Sequence, residues 1–204
     1  LWTHLELKRY FGIDSLLTPE TADTIYDTCA EMLAAPEFSV RNLLRRMQVR
    51  AVCTTDDPSD TLEHHAAIAA SGFEIKVLPT FRPDKAMAAE NPPVYNAYLD
   101  KLGASAGIEI VSYATLVDAL RARHDFFHER GCRLSDHGLE TACAHEYADS
   151  EIPSIFAKVR AGATCTRDEC LKLKSALMIE FGRMNAEKGW VQQLHLGAMR
   201  NNNS

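Results

Sequence analysis

From Val49 onward the chain repeats one pattern: a short β-rich run, a polar turn, then a helix. The runs are Arg50–Thr55, Glu74–Phe81, Cys132–Ser135 and a last stretch opening at Trp190. Each is followed by charged or polar residues, and no Asn-Gly or Asp-Gly hairpin signal joins two of them. Strands separated by helices pair in parallel, through right-handed crossovers. The expected fold class is therefore α/β, with about four parallel β/α units. Pro79 falls inside the second run, where it removes a ladder donor and predicts a bulge near the strand end. The long connections Pro83–Gly131 and Gly138–Gly189 predict helices added to the plain repeat.

Residues 1–48 read differently, as a helical segment without strands; residues 49–204 form the β/α part. Thr18-Pro19-Glu20 predicts a helix start, and Ile25, Cys29, Met32 and Leu33 follow at helical spacing. Pro36 ends that helix. Ser39 opens another, with Val40, Leu43, Leu44 and Met47 on one face. Later, Ser59 is expected to cap a helix through Leu62, Ala66, Ile68 and Ala69. A helix carrying Val94, Tyr98 and Leu102 is expected to run from Pro92-Pro93 to Gly103. Ser112 caps a helix ended by Gly131, and Thr166-x-x-Glu169 is a capping box whose helix carries Leu173, Leu177, Phe181 and Met184. The last run, from Trp190, opens into one His, one Arg and three Asn where the chain stops. That ending, with the start at Leu1, leads to the expectation that the chain is an excerpt of a longer enzyme.

The formal net charge is −6 and no Lys/Arg block interleaves with aromatics, which argues against a nucleic-acid or anionic-membrane surface. No apolar run approaches the roughly 20 residues of a membrane helix. The six cysteines form no Cys-x-x-Cys and are irregularly spaced, so reduced, mostly buried thiols in a cytoplasmic protein are expected.

The chemistry is expected at the strand ends: Asp56 with Asp57, Arg82 with Lys85, Asp136 with His137, and His195 with Arg200. Each alone reads as a solvated turn. Four in succession fit a barrel whose site is built from the loops at the strands' carboxyl ends. Carboxylates and histidines supply bases and metal ligands, and arginine grips an anion with two parallel hydrogen bonds. For Asp56-Asp57 we expect one inward-facing carboxylate and one that caps the next helix. His137 stays open between pocket and packing.

Five segments carry a resemblance. Trp2-Thr-His-Leu-Glu-Leu7, Cys53-Thr-Thr-Asp-Asp-Pro58, Leu78-Pro-Thr-Phe-Arg-Pro-Asp-Lys85, Cys132-Arg-Leu-Ser-Asp-His-Gly-Leu139 and Gln193-Leu-His-Leu-Gly-Ala-Met-Arg-Asn-Asn-Asn203 together resemble the uronate (glucuronate) isomerase family. The resemblance implies a partial (β/α)8 TIM-type barrel of the amidohydrolase superfamily, preceded by a helical insertion segment. It implies interconversion of D-glucuronate with D-fructuronate, and of D-galacturonate with D-tagaturonate. It also implies a divalent metal, zinc first, with His195 as the ligand in this chain and the others outside it. Asp136 and His195 would be catalytic; Arg82, Arg200, Asn202 and Asp56 would bind substrate. A homo-oligomer is the expected assembly.

Two other readings compete. One keeps the barrel but makes it a metal-dependent hydrolase of a lactone or ester. The other is a non-catalytic helical binding module, in which Arg82, Asp136 and His195 would not converge. His124-Asp-Phe-Phe-His128 imitates a metalloprotease helix, but Asp125 stands where Glu is needed, so an ordinary outer helix is expected. His64 and His65 are expected at the surface, His4 in packing and hydrogen bonding, and Cys53 and Cys132 in the core.

Overall fold

The computed structural model describes residues 1–197; Arg200 and Asn202 lie outside the described residues. The chain divides into two compact units, Leu1–Ala51 and Val52–Ser204. The first is helical: α1 (Trp2–Glu6) runs into a π-helical turn, Leu7–Phe11, followed by α2 (Ala22–Ala34), a 3-10 turn at Pro36–Phe38 and α3 (Val40–Arg46). Its α2 starts later than Thr18 predicts, because residues 18–21 form a turn in which Thr21 Oγ1 accepts from the Thr18 amide. Ile25 is buried, whereas Leu33 and Val40 are exposed, so the predicted apolar faces are only partly covered within this unit. His4 Nε2 accepts from the Leu17 amide at 2.9 Å, and Phe11 stacks on Phe38.

The second unit begins within β1 (Ala51–Cys53) and continues through α4 (Glu63–Ala70), β2 (Lys76–Leu78), α5 (Pro92–Ala106), α6 (Tyr113–Glu129), β3 (Leu134–Leu139), α7 (Glu151–Arg160), α8 (Arg167–Lys188) and β4 (Val191–Leu196). Strands β1 and β2 are neighbours, and β3 pairs in parallel with β4, Asp136 opposite Gln193 and Gly138 opposite His195. Parallel bridges at Asp56–Phe81 and Phe81–Ser135 link the two pairs. The β3–β4 pairing and both bridges are thus parallel.

Several expectations need correction. Strand β2 is shorter than Glu74–Phe81, because Pro79 ends the regular ladder and pairing resumes only at Phe81. Strand β3 is longer than Cys132–Ser135: Asp136, His137 and Gly138 belong to it, not to the loop beyond. Ser59 does not cap α4; its amide and hydroxyl both donate to Asp57 Oδ1, and the residue before α4 is the buried Leu62, at φ 55°. Helix α5 runs past Gly103 to Ala106 and buries Tyr95, Leu99 and Leu102, while Val94 is exposed. Gly103 is required by contact: a Cβ there would lie 2.6 Å from the Ile108 carbonyl oxygen.

The caps on α6 and α8 form as the sequence predicts. Ser112 and Thr115, and Thr166 and Glu169, satisfy each other's free amides. The core joins these helices to the sheet around Phe81, whose ring meets Phe127, His124 and Trp190 edge-on. Cys132 lies in that core, and burial pushes its thiol up to about 11. Cys53 is exposed on β1, against expectation. No disulfide forms among the described cysteines.

Candidate active site

Side chains on a strand alternate between its two faces. On β3, Ser135 and His137 point toward α8, where the His137 ring stacks on Phe181. Asp136 therefore takes the opposite face. Phe81 is bridged to Ser135, so the residue after it, Arg82, arrives beside Asp136. His195 sits on β4 opposite Gly138, whose missing side chain leaves the diagonal toward Asp136 clear.

The three groups meet. Arg82 Nε–H donates to Asp136 Oδ1, and Nη2–H donates to Oδ2. His195 Nε2 lies 3.4 Å from the same Oδ2. The side chains are 20% exposed for Arg82, 10% for Asp136 and 41% for His195, so the ion pair is sheltered while the imidazole edge remains open. Burial works to raise the Asp136 pKa, but the Arg82 hydrogen bonds and charge, helped by His195, outweigh it and hold the carboxyl below its usual range. The Arg82 guanidinium is raised in turn, first through its hydrogen bonds to Asp136. The two-pronged pair uses two of the five guanidinium N–H groups, and among the described residues the others donate to no hydrogen bond.

Asp56 stands apart from this cluster. Its Oδ2 accepts from Thr54 Oγ1–H at 2.7 Å and from the Thr80 amide at 3.1 Å, and lies 3.8 Å from His65 Nε2. Through Oδ2 it thus helps to hold strand ends together. Asp57 fixes the turn before α4, accepting from Ser59 and Tyr98 and pairing with Lys85 at 3.2 Å. His65 is turned inward onto Thr54, a correction to its expected surface position; His64 is exposed.

His137 faces away from the cluster and is fully buried. His124 is buried too, with Nε2 3.1 Å from Asn185 Oδ1 and its ring against Trp190. Its helix keeps an exposed face at Ala114, Asp118, Asp125 and Glu129, while His124 turns to the buried face. Sequence reasoning passed over Ser135 and Asn185, whose hydrogen bonds link these histidines, and Asp84, which lies 3.4 Å from His137 and accepts from the Gly138 amide. The spacing of Ser135 and His137, two apart on one strand, was the available signal.

Among the described residues no group of three His, Cys, Asp or Glu is placed to hold a metal ion. His195 is the cluster's one open imidazole, and Asp136 is already committed to Arg82. These residues alone do not make a metal site. A cavity of about 570 Å³ adjoins the far end of β3, lined by Asp84, Gly138, Cys143, Cys170 and Lys174 among others, but not by Arg82, Asp136 or His195. No described helix is long and apolar enough to cross a membrane.

An α/β fold that brings an arginine, an aspartate and a histidine together on the same face of adjacent parallel strands belongs to the class with strand-end sites. The family model described as glucuronate isomerase matches residues 1–204, and the chain belongs to that family. Uronate isomerase of Bacteroides thetaiotaomicron is 58% identical over 203 residues, covering 100% of this chain and 43% of the relative. That of Phocaeicola vulgatus is 57% identical, with the same coverage. The chain thus spans less than half the length of these relatives. Among solved structures, uronate isomerase of Thermotoga maritima superposes with a TM-score of 0.89 at 37% identity, over 98% of this chain and 44% of that one. Glucuronate isomerase of Caulobacter crescentus gives a TM-score of 0.89 at 29% identity, over 99% and 42%.

Proposed function

We propose that the protein containing this chain is a hexuronate isomerase, interconverting D-glucuronate with D-fructuronate and D-galacturonate with D-tagaturonate. The observation that carries this reading is the convergence of Arg82, Asp136 and His195. A non-catalytic helical module has no need of it.

An aldose–ketose isomerase moves one proton between adjacent carbons and protects a charged oxygen meanwhile. In this reading the free guanidinium edge of Arg82 takes the sugar carboxylate, an anion that lysine would hold with less geometric definition. Asp136, kept ionised, orients Arg82 and accepts from a substrate hydroxyl. His195, beside Asp136 and open to the substrate side, carries a proton. Arg200 and Asn202 complete the grip on substrate. Asp56, whose Oδ2 supports the sheet, is the remaining substrate-binding candidate.

The reading extends to a (β/α)8 barrel of the amidohydrolase superfamily, closed by strands outside this chain, and to a homo-oligomeric assembly. It includes a divalent metal, zinc first, for which His195 is the donor this chain contributes. When bound, such an ion polarises oxygen.

The full-length protein, purified and supplied with zinc, should convert both uronates to the ketoses and exchange the C2 hydrogen with solvent deuterium. If both sugars remain unchanged, the reading fails. A parallel screen of lactones and esters separates it from the hydrolase alternative.

A further inference from the structure

The side of β3 away from the candidate site holds a second, buried set of polar groups. Its origin is the early end of β2. On that edge of β3, the Asp136 amide donates to the Phe81 carbonyl. The next amide on the same edge is Gly138, but the neighbouring chain has left the ladder at Pro83 and curled into a 3-10 turn at Asp84–Met87. The Asp84 side chain takes the place of the missing carbonyl: its Oδ2 accepts from the Gly138 amide at 2.8 Å.

The other oxygen, Asp84 Oδ1, is 3.4 Å from His137 Nδ1. Both atoms are buried, and neither has a hydrogen-bond partner among the described residues, so each is the other's nearest polar complement. His137 Nε2 lies 3.0 Å from Ser135 Oγ, and Ser135 Oγ accepts from Asn185 Nδ2–H at 2.8 Å. That donor leaves the Ser135 proton free: with a ring proton on Nδ1, facing Asp84, the Ser135 hydroxyl donates to Nε2. Acid, imidazole and hydroxyl follow one another as in a nucleophilic triad, yet Ser135 and His137 are both 0% exposed. No substrate reaches that hydroxyl. The set grips β3 on both sides of Asp136, through residues 135, 137 and 138.

We propose that Asp84 is a positioning residue for the isomerase reaction: through the Gly138 amide and the His137 ring it holds the strand end that presents Asp136 to Arg82 and His195. The proposal rests on the isomerase reading. An asparagine in place of Asp84 would offer one acceptor where two donors must be met, and its amide would face a donor. A displacement of about 1 Å at a reacting group lowers turnover by about a hundredfold.

The test uses the full-length enzyme. Asp84→Asn should lower kcat at least about tenfold with KM within about threefold, as for supporting groups behind a reacting side chain. Ser135→Ala, which removes only the far hydroxyl, should lower kcat by a smaller factor with KM unchanged. Leu99→Ala, in the helical core away from this set, should lower the melting temperature and leave kcat at its wild-type value. If Asp84→Asn does not fold, the Ser135→Ala split between kcat and KM decides. Wild-type kcat in a folded Asp84→Asn or Ser135→Ala enzyme, or a fall in kcat for Leu99→Ala matching theirs, would overturn the proposal. A wild-type enzyme inactive on both uronates would overturn the isomerase reading and this proposal with it.

Discussion

His124 gives a prediction whose size follows from its surroundings. The imidazole is 1% exposed, packed against Trp190 and Phe81, and tied to Asn185. Burial lowers its pKa from the ordinary 6.5 to about 4, despite the opposing Asn185 hydrogen bond. Folded protein therefore keeps His124 neutral over a range in which the unfolded chain protonates it. The sign is set by that difference: stability is unaffected above pH 6.5, falls as pH drops toward 4, and levels off below. The slope approaches about 1.4 kcal/mol per pH unit, and the whole loss is about 3 kcal/mol. His124→Gln keeps a donor for Asn185 and removes the titration. Urea unfolding of the full-length protein and this variant, followed by tryptophan emission from about pH 7 to about pH 4, isolates the effect as a difference, since carboxylates titrate in both. The stability difference between them should change by about 3 kcal/mol in favour of the variant as pH falls. Parallel curves for the two proteins, or a His124 ring resonance titrating near the ordinary value, would refute the reasoning.

Other outcomes follow from the same geometry. Asp136→Asn should cost about 2–3 kcal/mol at neutral pH by leaving a sheltered guanidinium without its charged partner, and should lower uronate turnover at least about a hundredfold. Because the Asp136 pKa is held below its ordinary 3.8, the stabilising pair persists above that pH; the gap in urea midpoint should close only as pH falls through the lower folded value. Gly103→Ala, which in most helix interiors stabilises by about 1 kcal/mol, should here destabilise by about 1–3 kcal/mol, because the new methyl meets the Ile108 carbonyl at 2.6 Å; thermal unfolding gives the sign directly.

The parts of this molecule legible in the sequence are those set by local chemistry. Ser112 and Thr166 announce their helices because a hydroxyl facing free amides acts within one turn. The placing of Arg82 was legible for a similar reason, since a β-rich run gives way to charge there, whereas β3 runs on through Asp136 to Leu139. The rest depended on partners distant in the chain. Asp56 and Asp57 look alike in sequence, but Thr80 and Tyr98, more than 20 residues away, determine what each carboxylate binds. His65 turns inward because Thr54 lies across from it. The network behind β3 joins residues from 84 to 185, and no spacing within one segment displays it.

The rung at Gly138 differs in kind from its neighbours. Main-chain carbonyls bond alike whatever residue bears them, so most ladder contacts survive nearly any exchange except proline. At this rung the acceptor is a carboxylate, encoded by a single codon. The geometry of the sheet here can therefore be rewritten by one nucleotide change, making this edge a place where selection can retune the neighbouring cluster without touching Arg82, Asp136 or His195.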